Sequence, residues 1–408
     1  MVSRRSMIAL TAAGGAVAAS SPWWRTWAVP AADAAPATCE LALANDTDTS
    51  DVHAYVTGRE FGTDRMMLLR PGGQGPYYIE QPGSTNTPLP VDCAIPLNAP
   101  GAAPVVVTLP RMYGARVYFV RESKLEFFVN PGPALVEPAF QNANDANFGK
   151  IASFCEFTFN DVQLFVNVSY VDLVTALPIA LRLQGDGDHS VAALDRGAVE
   201  SIAADLEAQA AADGRPWDTL VMRDGGGKIL RVMSPQNVMA PYFGQPDMPF
   251  NGYWSGYVNE VWEHYRANDL RIDLQGGRGV LTGRVQGDNL VFNDGSTFTK
   301  PDDRDIFTCN HGPFANVPTD SDAKKAALAR LAAAFNRSTV HNHPDQPNGA
   351  PVADFYAHDI TNHYARAVHD NSPIGYAFPY DDVTPDGVPD QSGVAFDGNP
   401  TRLTLTVT

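Results

Sequence analysis

Along residues 154–172, FCEFTFNDVQLFVNVSYVD, apolar and polar positions alternate with a period of two. That alternation predicts strands with one buried face, because successive side chains on a strand point to opposite sides. Phe157 and Phe159 then share one face, and Glu156, Thr158 and Asn160 share the other. Short runs of the same kind, such as 104–109 (PVVVTL) and 116–120 (RVYFV), fill residues 39–178 between clusters of Gly, Pro, Asn and Asp. This is the pattern of a β-sandwich or barrel. The period then changes. Helices are predicted over 197–212, over 251–267 with Tyr257, Val261, Trp262 and Tyr265 on one stripe, over the Ala-rich 322–336, and over 354–369. Strands return at 270–274 and in a hairpin over 279–300 that turns at Gly287-Asp288. The last residues, 402–408 (RLTLTVT), alternate again. The simplest architecture is mainly β with an α+β insertion. Residues 35–178 and 340–408 form a β-sandwich or barrel domain whose C-terminal strand rejoins the first sheet, and 179–339 form a mixed α/β domain.

Composition narrows the partners. With 408 residues and 44% hydrophobic content the chain can bury a large core, divided by length into two or three domains. A formal charge of −17 argues against nucleic acid or an anionic membrane surface as partner and leaves neutral substrates open. Residues 3–8 (SRRSMI) precede a small-residue apolar stretch, 9–19, and then Ala32-Asp33-Ala34, which is the pattern of a signal peptide. Adjacent Arg4 and Arg5 give it twin-arginine character, so residues 1–34 are expected to be removed on export and the protein to be secreted. The apolar stretch is shorter than the roughly 20 residues that span a bilayer. Cys39, Cys93, Cys155 and Cys309 form no CxxC pair, and in an exported protein they allow up to two disulfides.

Candidate chemistry centres on Glu156 and Asp172. Two carboxylates on facing β surfaces are the minimal equipment of glycoside hydrolysis, one as proton donor and one as base or nucleophile. Among 46 acidic residues such a pair means little by itself, so its company decides. Thr158 and Asn160 share the face of Glu156 and can bond sugar hydroxyls, while Tyr170, on the face of Asp172, offers a stacking surface. Cys155 points the other way and is read as packing or disulfide. Asp145, within 142–147 (NANDAN), is either a neighbour that raises the Glu156 pKa or a turn aspartate. Arg116, in a strand beside Tyr118, is either a holder of a carboxylate or a sugar hydroxyl or an ordinary surface arginine. Other motifs carry less: His341-Asn-His343 lacks a third ligand, His363 and His369 read as packing or capping residues, 381–390 lacks EF-hand spacing, and 224–228 lacks the P-loop pattern. No metal and no organic cofactor is expected.

The run Glu156-Phe-Thr-Phe-Asn160, followed by Tyr170-Val-Asp172 with the aspartate 16 residues after the glutamate, resembles the catalytic segment of glycoside hydrolase family 64, inverting endo-β-1,3-glucanases that release laminaripentaose. Residues 250–262 (FNGYWSGYVNEVW), 362–366 (NHYAR), 375–382 (GYAFPYDD) and 399–407 (NPTRLTLTV) resemble the same family, so that the likeness covers about 38–408. It implies a thaumatin-like β-barrel and a mixed α/β domain flanking a wide groove for β-1,3-glucan, acting as a monomer. Glu156 falls on the general acid and Asp172 on the general base; Thr158 and Asn160 fall on sugar contacts near the cleavage point, and Phe165 on an aromatic of the intervening segment. Cys155 and Phe165 depart from the family pattern. Two other readings compete: a thaumatin-like protein that binds glucan without cutting it, for which the two carboxylates with Thr158 and Asn160 are not needed, and an extracellular domain that binds a protein partner.

Inversion sets a geometric demand, since a water must fit between sugar and base with the carboxyl groups about 6.5–9.5 Å apart. A tight hairpin turning at 160–163 pairs Glu156 near Asn167 and leaves Asp172 about five residues, or roughly 16 Å, farther along, which is too far. Either the loop is longer, centred near Leu164, or the two acids lie on strands that are not direct neighbours and meet across the cleft. Glu156 must also have its pKa raised, by burial or by other carboxylates, to hold a proton near neutral pH.

Overall fold

The computed structural model describes residues 34–372, 374–389 and 392–408. The signal-like segment, except for Ala34, lies outside the described residues. Two sheets face each other. In the first, Thr38–Asn45 is central, antiparallel to Val105–Pro110 on one side and parallel to the C-terminal Arg402–Val407 on the other. Its alternation places Leu41 and Leu43 inward, level with Leu403 and Leu405, so the chain's two ends are joined by main-chain bonds and by one apolar layer. Ile179–Gln184 and Asp188–Val191 extend this sheet beyond Arg402–Val407. The β architecture therefore runs past residue 178, where the composition changes.

The second sheet has eight strands, built around Val52–Glu60, Met112–Arg121, Ala152–Phe159, Leu164–Asn167 and Val394–Asp397. Val56, Val117 and Cys155 lie in one cross-strand row that faces the first sheet and is buried with Phe157, Phe159 and Val166. The opposite face carries a second apolar cluster, in which Tyr55, Tyr118 and Phe154 form a row packed on Phe127 and Phe140. This sheet is thus covered on both sides over part of its area. One row farther along, the cover becomes polar.

The remaining chain forms helices Ala198–Asp213, Ser255–Ala267, Asp322–Asn336 and His363–Asn371 around a five-stranded sheet that includes Leu270–Asp273, Val280–Gln286 and Asn289–Phe292. The last two make the expected hairpin about Gly287-Asp288. The stripe Tyr257, Val261, Trp262 and Tyr265 is fully buried, and its core is continuous with that of the sandwich. Gly214 ends the first helix in a left-handed conformation (φ 68°), its N–H bonded to the Ala210 carbonyl. The fourth helix begins at His363 rather than near 354, because the Asn362 side chain accepts the Ala365 N–H at 3.1 Å and caps it there. All four cysteines are buried as free thiols, so none of the disulfides the sequence allowed is formed; of the two readings of Cys155, it packs in the core between the sheets.

Candidate active site

Thr57, Arg116, Glu156 and Asn167 form a single cross-strand row on the outer face of the eight-stranded sheet, adjacent to the buried Tyr55–Tyr118–Phe154 row. Pairing puts their side chains within reach of each other. Arg116, buried and lying over the Phe154 ring at 4.4 Å, donates to Glu156 Oε1 through Nη2 at 2.9 Å and Nε at 3.1 Å. Its Nη1 donates to the Tyr118 hydroxyl at 3.2 Å and lies 3.9 Å from Glu137 Oε2. Glu137 accepts the Thr57 hydroxyl at 2.8 Å through its other oxygen.

Asp172 arrives from elsewhere. A tight hairpin does form, with Asn160 N–H bonded to the Gln163 carbonyl and Glu156 opposite Asn167. The separation computed for a continuing strand does not follow, because the chain leaves that ladder after Asn167. Val168 N–H bonds the Gly393 carbonyl, Tyr170 N–H bonds the Tyr376 carbonyl, and Leu173–Thr175 pairs with Ile229–Met233 in a different sheet. Ser234 N–H donates to the Asp172 carbonyl at 3.0 Å, and Asn237 Nδ2 donates to its Oδ1 at 2.8 Å. So turned, Asp172 places Oδ2 3.9 Å from Arg116 Nη2, the nitrogen that binds Glu156. The two carboxylate oxygens are no farther apart than the sum of those two distances. Of the two arrangements open from the sequence, the acids belong to different sheets and converge.

Electrostatics separates their roles. Burial pushes the Glu156 carboxyl above its ordinary value, Arg116 opposes that shift, and the charges of Asp172 and Glu137 add to it. The Glu156 side chain is 19% exposed and that of Asp172 is 38% exposed, so one acid is sheltered and the other open to water. A raised acid beside an open carboxylate is the division of labour that acid–base hydrolysis needs.

The other expected residues divide. Thr158 is half-buried on the face of Glu156, opposite Phe165, which pairs in turn with Phe396. Phe396 is 42% exposed and stacks on His189, so an apolar row runs from Thr158 to the sheet edge. Asn160 uses its side-chain oxygen to close the hairpin, accepting Val162 and Gln163 N–H at 2.8 and 2.9 Å. Tyr170 is corrected: it is 6% exposed and belongs to the core, because alternation lapses once the chain leaves the ladder. Asp145 is corrected too. Its oxygens accept Ala139 N–H and Asn147 N–H, which makes it an organiser of its own loop. Sequence reasoning missed Glu137, whose place depends on Thr57 80 residues away, and Asn167, whose buried Oδ1 has no hydrogen-bond donor. Asn167 was legible as the hairpin partner of Glu156. Among the described residues, Asp302, Asp305 and His311 are one group of metal-ligand type, but the two aspartates cap a helix reciprocally and Asp305 Oδ1 lies 2.6 Å from His311 Nδ1. His343 pairs with Asp354 at 3.0 Å, as befits a structural histidine.

The chain as a whole has known relatives. The family profile described as Beta-1,3-glucanase matches residues 37–407. Glucan endo-1,3-beta-glucosidase of Cellulosimicrobium cellulans is 31% identical over 421 residues, covering 98% of this chain and 69% of that protein, and the enzyme of the same name from Arthrobacter sp. (strain YCWD3) matches to the same extent. Among solved structures, a laminaripentaose-producing β-1,3-glucanase in complex with laminaritetraose superposes with a TM-score of 0.77 at 29% identity, over 91% of this chain and 98% of that one. A β-1,3-glucanase domain from Clostridium beijerinckii has the same fold, with a TM-score of 0.69 at 22% identity over 91% of this chain and 98% of that one. The chain belongs to glycoside hydrolase family 64, the β-1,3-glucanase family, and is a glycoside hydrolase.

Proposed function

We propose that the protein is a secreted endo-β-1,3-glucanase that hydrolyses linear glucan with inversion, releasing oligosaccharides such as laminaripentaose, with Glu156 as general acid and Asp172 as general base. The observation that carries this reading is the sharing of Arg116 Nη2 by the two carboxylates, the buried one raised and the other open. In the reaction Glu156 gives its proton to the glycosidic oxygen as the C1–O bond breaks. Asp172 takes a proton from a water that attacks C1 from the opposite face. Proton, electron pair and water are thereby accounted for, and the enzyme returns to its starting state once a proton passes back to Glu156. The upper bound on the distance between the two oxygens reaches only the short end of the roughly 6.5–9.5 Å of an inverting pair and also admits the roughly 5–5.5 Å of a retaining one, so the anomeric configuration of the product decides between them.

Substrate assignment follows the names of the relatives and the surface beside the acids. Thr158 offers a hydroxyl and Phe165 a ring face, which suits a chain of neutral sugars. Secretion rests on the Arg4-Arg5 signal-like N-terminus; no helix among the described residues is long and apolar enough to cross a membrane. Incubation of the purified protein with curdlan or laminarin, followed by chromatography of the released sugars, tests the reading. Oligosaccharides are expected from the wild type and not from Glu156→Gln or Asp172→Asn; full activity in either variant sinks the assignment.

A further inference from the structure

Arg116 poses a problem for the acid it binds. A guanidinium that grips a carboxylate through two nitrogens favours the ionised form, and an ionised Glu156 has no proton to give. Something must offset it. The charged and titratable groups that face Glu156 are Arg116 and Tyr118 from its neighbouring strand, Asp172 from before Leu173–Thr175, and Glu137 from just after Ala134–Val136. Asp172 is the base of the proposed reaction. Glu137 sits on the other side of the cation, 3.9 Å from Nη1, while Glu156 takes the Nε and Nη2 edge. It is too far round the guanidinium to share the Glu156 edge, and it is held by a buried threonine hydroxyl in the same cross-strand row.

We propose that Glu137 is a positioning residue of the hydrolysis: anchored by Thr57, it engages the Nη1 end of Arg116 and, as a fixed negative charge behind the guanidinium, keeps on Glu156 the proton that the reaction spends. One cation shared among three carboxylates cannot neutralise them all. The most buried of the three is the one that stays protonated, because a buried charge is the costliest to leave uncompensated. Glu137 thus contributes without touching the sugar or the reacting atoms. The inference rests on Glu156 being the acid, and its test is chosen to fail separately from that reading.

The pH dependence of kcat on laminarin reads it. The acid must be protonated, so Glu156 sets the alkaline limb; removing a nearby negative charge stabilises its ionised form and moves that limb to lower pH. Glu137→Gln is expected to shift the alkaline limb down by about 0.5–1 pH unit, with a matching roughly three- to tenfold loss of kcat on that side and no movement of the acid limb. Glu137→Asp, which restores the charge, brings the limb back toward the wild-type position. Thr57→Val, which frees the anchor, shifts it in the same direction by less. A Glu137→Gln profile that superimposes on the wild type, or a loss equal at every pH, overturns the proposal. Should Glu137→Gln fail to fold, an unmoved limb in Thr57→Val does so. Titration of the Glu156 carboxyl carbon by NMR, assigned through its absence in Glu156→Gln, gives a readout independent of turnover. Full activity in Glu156→Gln then refutes the acid assignment, whereas an unchanged Glu156 midpoint in Glu137→Gln refutes the role of Glu137.

Discussion

Among the described residues, the guanidinium–carboxylate clusters at Arg116 and Arg337 are balanced in opposite senses. Arg337 donates to Asp381 Oδ1 and to its carbonyl, each at 2.8 Å, while His369 Nε2 lies 2.7 Å from Oδ2 and Ala377 N–H donates to the same oxygen at 2.9 Å. Burial works against the Asp381 charge, but His369 and Arg337 overcome it and hold the carboxyl below its ordinary value. At Arg116 the ratio is reversed: one cation serves three acids, and burial wins at Glu156. A carboxylate whose every bond is met is a fixed part of the fold. One that competes for a shared cation can hold a proton and release it, which is what separates a site from a staple.

Substitutions that remove one acid from each cluster sharpen this contrast. Glu156→Gln and Asp172→Asn are expected to lower kcat on laminarin by on the order of 10²- to 10⁴-fold, with the denaturant midpoint unchanged or raised. Asp381→Asn is expected to do the reverse, destabilising the protein by about 3–5 kcal/mol because Arg337 is left buried and uncompensated, while the fraction that remains folded keeps its kcat. Equilibrium unfolding in urea beside a rate assay separates the two outcomes. A Glu156→Gln protein that unfolds readily, or an Asp381→Asn protein of wild-type stability, breaks the comparison.

The pH dependence of stability differs in sign between the clusters. Asp381 has a folded pKa below its unfolded value of about 3.9, so its stabilisation is present above that value and is lost as pH falls through the folded pKa. Asp381→Asn therefore loses most at neutral pH and little in strong acid. Glu156 has a folded pKa above its unfolded value of about 4.3, so its contribution is full below that value and is lost as pH rises through the folded pKa. Glu156→Gln should accordingly raise the melting temperature at pH 7 and leave it unchanged near pH 3, which a pair of thermal scans checks. Smaller effects belong to the apolar row beside the acids. Phe165→Ala is expected to raise KM for laminarin by roughly two- to tenfold, the equivalent of about 0.5–1.5 kcal/mol of ring contact, and Phe396→Ala, one strand farther out, by less.

How much of this was legible in the sequence depended on how local its cause is. The helix over 322–336 and the return of the C-terminal strand to Thr38–Asn45 follow from periodicity and capping, and the structure has both; the tight hairpin at 160–163, set aside for the separation it implied, forms as well. Alternation placed Glu156 with Thr158 on one strand face, whereas the pairing of Glu156 with Arg116 came only with the sheet register. The meeting with Asp172 was not legible, because it depends on where residues 168–172 are pinned, and the pins are Ser234, Asn237, Tyr364, Tyr376 and Gly393. Tyr170 was misread for the same reason: the rule of two holds only while a strand keeps its ladder. Asp145 shows the converse, a residue open to two readings whose local turn is the one the structure has. Glu137 gave no signal at all, since nothing in PGPALVEPAF marks a carboxylate that will bond a threonine of another strand.

The central claim is that Glu156 and Asp172 act as acid and base on opposite faces of the sugar. The measurement closest to it is the anomeric configuration of the first reducing ends released from laminarin, followed by proton NMR before mutarotation sets in. Inversion of a β-1,3 linkage predicts that the α-anomer appears first and the β-anomer grows only later by equilibration. Initial release of the β-anomer would contradict the account and require Asp172 to act as a nucleophile.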